Sequence, residues 1–164
     1  MDRSDIVEHA RELLAANRYV NLSTADADGA PWATPVWFAS EGLERLYWLS
    51  WPGARHSRLV EQRPEVALTV FDSTVVPHEG AAVYATARAR RCRADELDDA
   101  LQIVNRRSLD DGLSAFTPEQ VSGPARLRLY VAEVTEMWVL DQDAEVDQRV
   151  AVPRPVTPKH VADK

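Results

Sequence analysis

The chain has 164 residues, of which 45% are hydrophobic and 27% are charged, enough for one well-buried domain and too few for two large ones. Its 19 basic side chains and 26 carboxylates give a formal charge of −7, which argues against nucleic acid or an anionic membrane surface as a partner. The single cysteine, Cys92, cannot form an internal disulfide, and there is no signal-peptide core and no run of roughly 18 to 20 apolar residues. We therefore expect a soluble, cytoplasmic, single-domain protein.

The first half of the chain alternates short periodic segments with turns. Apolar residues at helical spacing predict a first helix, with Ser4 and Asp5 as its cap and residues 17–18 at its end. Pro31 and Pro35 cannot donate to a ladder, so they favour an edge or irregular position for the second predicted strand. The predicted elements here are strands at 19–24, 31–38 and 46–50, turns at 26–29 and 40–42, and a short helix at 55–62.

The second half predicts more strands and one long helix. These elements are strands at 66–71 and 81–91, a helix at 95–107, and a final strand or strand pair at 127–134 and 137–140. So many hairpin-length connections predict an antiparallel sheet that is curled or closed to hide its edges. The expected fold is α+β, mainly β with helices: a small split β-barrel of six or so antiparallel strands with flanking helices. Residues 1–140 form the predicted domain, and residues 141–164, acidic and then proline-rich, a C-terminal arm or disordered tail.

One segment concentrates polar chemistry at the start of the short predicted helix. Arg55, His56, Ser57 and Arg58 follow the sharp turn 51–54, where backbone N–H groups of a helix are unpaired and the helix dipole is positive. Such a place suits a phosphate, to which arginine donates bidentate hydrogen bonds. The alternative is an exposed polar helix start with ordinary surface arginines.

Tryptophans also cluster around this segment. Four of the five lie in one short stretch, at Trp32, Trp37, Trp48 and Trp51. Flat apolar surfaces beside a few polar groups are typical of a cofactor site, although large aromatic side chains are equally common in cores.

Four stretches resemble the pyridoxamine 5′-phosphate oxidase-like family, the FMN-binding split-barrel superfamily. They are PWATPVWF at 31–38, LYWLS at 46–50, ARHSRL at 54–59 and RPEVALTVFDS at 63–73. The likeness extends from the first helix to about Leu140 and lies in the order of elements and in several short patterns.

The resemblance implies a homodimer that binds FMN at the interface between its subunits. In the family a Ser-Arg-Lys motif after the third strand holds the phosphate, and it maps onto Ala54, Arg55 and His56, with Ser57 beside it. Arg55 matches, whereas Ala54 and His56 depart from Ser and Lys; Ser57 can replace the hydroxyl, and a phosphate would favour the charged form of His56. The implied contacts to the flavin ring and ribityl chain fall on Thr34, Val36, Trp37, Phe38, Leu49 and Ser50.

The resemblance extends to a late aromatic residue. Trp138 is similar to an aromatic near the cofactor in family members, the alternative being a core or dimer-interface residue. A core position is likewise the alternative for Trp37. No metal site is expected, because the histidines have no ligand spacing with Cys92 or with a carboxylate.

These observations lead to an FMN-dependent oxidoreductase that transfers hydride through flavin N5 to or from an unidentified small molecule. No side chain stands out as a catalytic acid or base. Residues after Trp138 lack the Arg-x-His substrate motif of true pyridoxamine phosphate oxidases, so that substrate is not expected. The alternatives are an F420-dependent reductase or F420-binding protein of the same superfamily, and a non-catalytic flavin- or haem-binding module.

Overall fold

The computed structural model describes residues 2–76, 79–141, 144, 146 and 148–153. Its helices are α1 (Arg3–Ala16), α2 (Arg55–Gln62) and α3 (Leu97–Asp110). Its strands are β1 (Tyr19–Ala25), β2 (Pro31–Trp37), β3 (Ala39–Glu41), β4 (Arg45–Ser50), β5 (Glu65–Phe71), β6 (Ala82–Arg91), β7 (Arg128–Leu140) and β8 (Arg149–Ala151).

The sheet is antiparallel throughout and follows the order β2-β1-β5-β6-β7-β4-β3, with β8 paired to β7. It curls until β2, at one edge, contacts β4 near the other edge. This curling covers the edges of the sheet, as expected for a curled barrel. The predicted α+β fold, an antiparallel split barrel with flanking helices, is confirmed.

The N-cap of α1 is a different residue from the predicted one. Asp2, rather than Ser4 or Asp5, is the N-cap: its carboxylate accepts the backbone N–H groups of Ser4 at 2.8 Å and Asp5 at 2.9 Å. The Asp5 carboxylate in turn accepts the N–H of Asp2 at 3.2 Å. This reciprocal arrangement satisfies more of the unpaired helix-start donors than a cap at Ser4 or Asp5 would.

Two short strands lie outside the predicted ones. β3 covers part of the predicted turn at 40–42, and β8 lies within the predicted arm, where Val150 pairs with Val139. Just beyond β8, Val152 is buried and its N–H donates to the Met137 carbonyl at 2.8 Å. The predicted final strand or strand pair is one continuous strand, β7. The domain boundary at residue 140 stays a prediction, and residues 154–164 lie outside the described residues.

Two hydrophobic cores position the helices. The larger core lies between the sheet, α1 and α2, and contains Trp48 stacked on Tyr130 with ring centroids 5.7 Å apart. The smaller core lies between α3 and one face of β4 and β7. α2 packs against β1, β2 and β6. Within the described part of the chain, no helix combines the length and the apolar character needed to cross a membrane.

Candidate functional site

The candidate site is the junction between β4 and α2. Ser50 ends β4, and a turn closed by the Ala54 N–H donating to the Trp51 carbonyl at 2.9 Å leads into the helix. The Trp51 ring lies over Gly53: a Cβ at residue 53 would come within 2.5 Å of the ring. Glycine therefore lets the indole, which is 58% exposed, fold back onto the turn beside the helix start.

The start of α2 is electrically positive and uncapped. Ala54 occupies the N-cap position and provides no side-chain hydrogen bond, and the first turn contains no acidic residue. The N–H groups of the first turn therefore have neither a capping acceptor nor a nearby carboxylate from their own helix. An anion is the natural partner for such a helix end.

Arg55 brings a cation to this helix start. Its guanidinium lies 4.3 Å from the centroid of the Trp32 ring on β2, a cation–π contact. Among the residues that the structure describes, no carboxylate forms an ion pair with Arg55. The aromatic ring orients the guanidinium without neutralising its charge.

His56 is hydrogen-bonded to a pair of serine hydroxyl groups behind the helix start. Its Nε2 lies 2.7 Å from the Ser50 hydroxyl, and the Ser57 hydroxyl donates to the same Ser50 oxygen at 3.0 Å. Ser50 and Ser57 are both buried, Ser57 almost completely. Burial lowers the pKa of His56 from its usual 6.5, which favours the neutral imidazole.

Two buried polar atoms, the Tyr130 hydroxyl oxygen and Trp48 Nε1, lie in the core behind these hydrogen-bonded side chains. Tyr130, on β7, is fully buried, and burial raises the pKa of its phenol, with a nearby Ser57 hydroxyl opposing the rise. Within the described residues, neither the Tyr130 hydroxyl nor Trp48 Nε1 forms a hydrogen bond. A buried polar group without a hydrogen bond lowers the stability of the folded protein, because it has lost its bonds to water without a replacement.

The structure brings together four of the residues predicted for the site: Ser50, Arg55, His56 and Ser57. Val36 on β2 and Phe38 directly after it are buried in the larger core, and Thr34 on β2 is partly buried. The alternation of side chains along a strand puts Thr34 and Val36 on the same face of β2 as Trp32.

Trp37 and Leu49 face the other way. Both pack against the smaller core beside α3. The Trp37 indole N–H donates to Asp111 Oδ2 at 2.8 Å, next to the end of α3. Trp37 is therefore tethered to a helix that does not belong to the junction of β4 and α2.

Trp138 lies far from this junction within one chain. Its neighbours in the sheet are Tyr84 on β6 and Ala151 on β8, whereas Arg128 is the β7 residue opposite Ser50. The ten residue steps from 128 to 138 correspond to ~33 Å of extended strand. Trp138 is therefore separated along β7 from the part of the strand that pairs with Ser50.

Trp32 and Tyr130 belong to the site although the sequence did not predict them there. Trp32 had a usable signal, because it alternates with Thr34 and Val36 on a predicted strand. Tyr130 had none, since its place behind Ser57 depends on the pairing of β7 with β4, which brings it opposite Trp48.

Two cavities are lined by residues outside the junction of β4 and α2. One, of about 610 Å³, is lined by residues of β1, β5, β6 and β7, including Thr86 and Thr135. The other, of about 470 Å³, is lined by residues that include Tyr19 and Phe71. Neither cavity is lined by a residue predicted for the site.

Comparison with solved structures identifies several similar folds. A heme binding protein from Mycobacterium smegmatis is 18% identical with a TM-score of 0.68, over 89% of this chain and 57% of that protein. The heme storage protein HutZ from Vibrio cholerae is 23% identical with a TM-score of 0.61, over 80% of this chain and 92% of its own. An F420 reductase is 20% identical with a TM-score of 0.57, over 77% of this chain and 94% of its own.

These identities establish a shared fold, and the chain spans little more than half of the mycobacterial protein. A comparison with curated proteins finds no match. The family model described as pyridoxamine 5′-phosphate oxidase matches residues 6–141, most of the chain. The family resemblance found in the sequence is thereby confirmed, and the chain belongs to the pyridoxamine 5′-phosphate oxidase family.

Proposed function

We propose that this protein is an FMN-dependent oxidoreductase that works as a cytoplasmic homodimer, with the flavin phosphate bound at the start of α2. The observation that carries the proposal is the uncapped helix start, where Arg55 has no carboxylate partner among the described residues. Membership of the pyridoxamine 5′-phosphate oxidase family supports a flavin as the phosphate-bearing ligand.

The residues present fit a phosphate. Arg55 can donate two parallel hydrogen bonds, the first-turn N–H groups of α2 can donate more, and His56 can add a further donor. The donors of this set complement the acceptor oxygens of a phosphate. Ala54 stands where the family's Ser-Arg-Lys pattern has its serine, so this position offers no hydroxyl group. The Ser57 hydroxyl already donates its hydrogen bond to Ser50.

A bound flavin supplies the redox chemistry through N5, and the protein's residues bind it, orient it and control its access to water. Arg55 and His56 hold the phosphate end. Thr34 lies on the same face of β2 as Trp32. Its side chain and the neighbouring backbone are therefore the strand groups best placed to contact the part of the ligand beyond the phosphate. No described side chain is assigned as a catalytic acid or base.

A dimer would complete the site. Within one chain Arg55, at the helix start, is exposed, and neither of the two cavities described above is lined by a residue predicted for the site. Trp138 lies ten positions along β7 from Arg128, the residue opposite Ser50. A second copy that brings its Trp138 to this ligand would account for both facts.

The test compares FMN with riboflavin, which carries the same ring but no phosphate. The absorbance spectrum of the purified protein is recorded first, and FMN, riboflavin, F420 and haem are then titrated in turn. We expect FMN to bind more tightly than riboflavin. Arg55→Ala should weaken FMN about 10-fold or more, because hydrogen bonds to charged groups contribute about 1.5–3 kcal/mol each, and should leave riboflavin unchanged.

Arg106→Ala is the matched control, because Arg106 is an exposed arginine on α3 that forms no ion pair in the described structure. Equal affinity for FMN and riboflavin would refute the phosphate assignment. Binding of F420 or haem in preference to FMN would move the protein to the corresponding alternative, a deazaflavin reductase or a haem-binding module. Tight FMN binding without oxidation of any reduced pyridine nucleotide would favour a storage or sensing role.

A further inference from the structure

Ser57, Ser50 and His56 form a hydrogen-bonded chain in which both serines are buried and His56 is partly buried. Ser57 donates to Ser50 at 3.0 Å, so the Ser50 oxygen already accepts one hydrogen bond. The Ser50 hydroxyl proton has two acceptors within reach, namely His56 Nε2 at 2.7 Å and the Trp51 carbonyl at 3.4 Å. Ser50 is therefore a hydroxyl that can point its proton in either of two directions.

These two directions match the two charge states of His56. When the imidazole is neutral with its proton on Nδ1, Nε2 accepts from Ser50. When the imidazole is charged, its Nε2–H donates to the Ser50 oxygen, and the Ser50 proton turns to the Trp51 carbonyl. Either state keeps the chain hydrogen-bonded with the heavy atoms in place. Nδ1 keeps its proton throughout and has no partner among the described residues, so it remains available as a donor.

The surroundings decide which state is populated before a ligand binds. Burial favours the neutral imidazole. β1 and β2, which pack against α2, contain no Asp, Glu, Lys, Arg or His, and Tyr19 is their only titratable residue. α2 itself contains Arg55, Arg58 and Glu61, and Arg63 directly follows it. β6, which also packs against α2, contains Tyr84, Arg88, Arg90 and Arg91, and Arg128 and Tyr130 of β7 lie opposite Ser50 and Trp48.

We propose that Ser50 and Ser57 are positioning residues that allow His56 to take up a proton when a phosphate-bearing ligand binds at the start of α2. The proton comes from solvent and ends on Nε2. The proposal rests on the proposed phosphate site and assigns a role to Ser50 other than contact with the flavin. A lysine at this position would be charged at all relevant pH values, whereas His56 makes the affinity of the site depend on pH.

The predicted sign follows from linkage. The pKa of His56 is low in the empty site and higher beside a bound dianion, so the complex binds more protons than the free protein. Affinity for FMN is then highest at acid pH and falls as pH rises between the two values, by up to about tenfold per pH unit. Riboflavin, which lacks the anion, should show no such fall.

The experiment is calorimetric titration of the full chain with FMN at neutral pH in two buffers that differ in ionisation enthalpy, which counts protons taken up. The same titration is repeated between about pH 5.5 and pH 8.5. His56→Gln and His56→Lys are the comparison variants. The phosphate itself also titrates in this range, but its contribution is common to all three proteins and cancels in the difference.

We expect proton uptake by the native protein to exceed that of both variants, and both variants to bind FMN with a flatter pH profile than the native protein. Ser50→Ala should flatten the profile as well, because the charged imidazole loses its acceptor. Ser50→Thr, which keeps the hydroxyl, should restore the profile; this rescue separates positioning from a general effect on folding. Equal proton uptake by the native protein and His56→Gln would overturn the inference and leave the phosphate site intact. Failure of FMN to bind at every pH would overturn both.

Discussion

Replacing Asp111 with alanine should destabilise the protein strongly, although the residue lies at the end of a surface helix. Asp111 follows α3, and its carboxylate accepts from three donors: Trp37 Nε1 at 2.8 Å, Arg107 Nε at 3.1 Å and Arg18 Nε at 3.3 Å. The Asp111 side chain is only 11% exposed and that of Arg107 only 17%. Arg107 also donates to the carbonyls of Ala15 and Asn17, at the end of α1.

The magnitude follows from which of these contacts are buried. The Arg18 side chain is 65% exposed, so its ion pair contributes about 0–1 kcal/mol. The Trp37 and Arg107 bonds are largely shielded, and removing the carboxylate leaves both donors without their acceptor. Breaking one partner of a buried pair costs about 3–5 kcal/mol. We expect a loss of about 3 kcal/mol for Asp111→Ala, at the lower end of that range, and about half of that for Asp111→Asn, which keeps one acceptor oxygen.

The free energy of unfolding is measured by urea denaturation, followed by circular dichroism and tryptophan fluorescence. Asp110→Ala is the matched control, because Asp110 is exposed and forms no hydrogen bond in the described structure. Burial alone would raise the pKa of Asp111, but Trp37, Arg107 and Arg18 hold it below its usual 3.8. The Asp111 contribution is therefore present at neutral pH and is lost as pH falls below about 3.8. A loss under about 1 kcal/mol at pH 7 would refute the reasoning.

Two further predictions concern the candidate site. Tyr130→Phe should raise the free energy of unfolding by about 1 kcal/mol, because it removes a buried hydroxyl that lacks a hydrogen bond and keeps the stack on Trp48; a clear loss of stability would mean that the hydroxyl has a partner. Gly53→Ala should shift tryptophan emission with less than about 1 kcal/mol of destabilisation, since the exposed Trp51 ring can swing away from the new Cβ. The shift should disappear in a Trp51→Phe background.

Local patterns were sufficient for most of the fold. The alternation in β5 and β6 and the helical spacing of α1 are strong signals, and the structure has these elements close to the predicted bounds. The three-residue strands β3 and β8 are too short to carry a period. Their existence depends on pairing partners, Leu46 for Ser40 and Val139 for Val150. Pairing of this kind is set by the curvature of the whole sheet.

The candidate site likewise has features that local sequence predicts and features that depend on distant residues. The cluster at 55–57 was predictable because a helix start and its basic residues are adjacent in sequence. The direction in which Trp37 faces was not, since it depends on Asp111, 74 residues later. The cation–π contact between Trp32 and Arg55 likewise joins two elements through the closure of the barrel.

In the proposed phosphate site, the departure of this chain from its family's motif would be compensated locally. A lysine in place of His56 would need no support to stay charged, whereas an imidazole needs groups that accept both of its protonation states. Ser50 and Ser57 provide them from the end of β4 and the first turn of α2, and both are buried where a ligand-contacting hydroxyl would have to be accessible. In the proposed phosphate site the two serines and the histidine would therefore act as one unit, in which the hydroxyl groups orient the imidazole and the imidazole binds the anion.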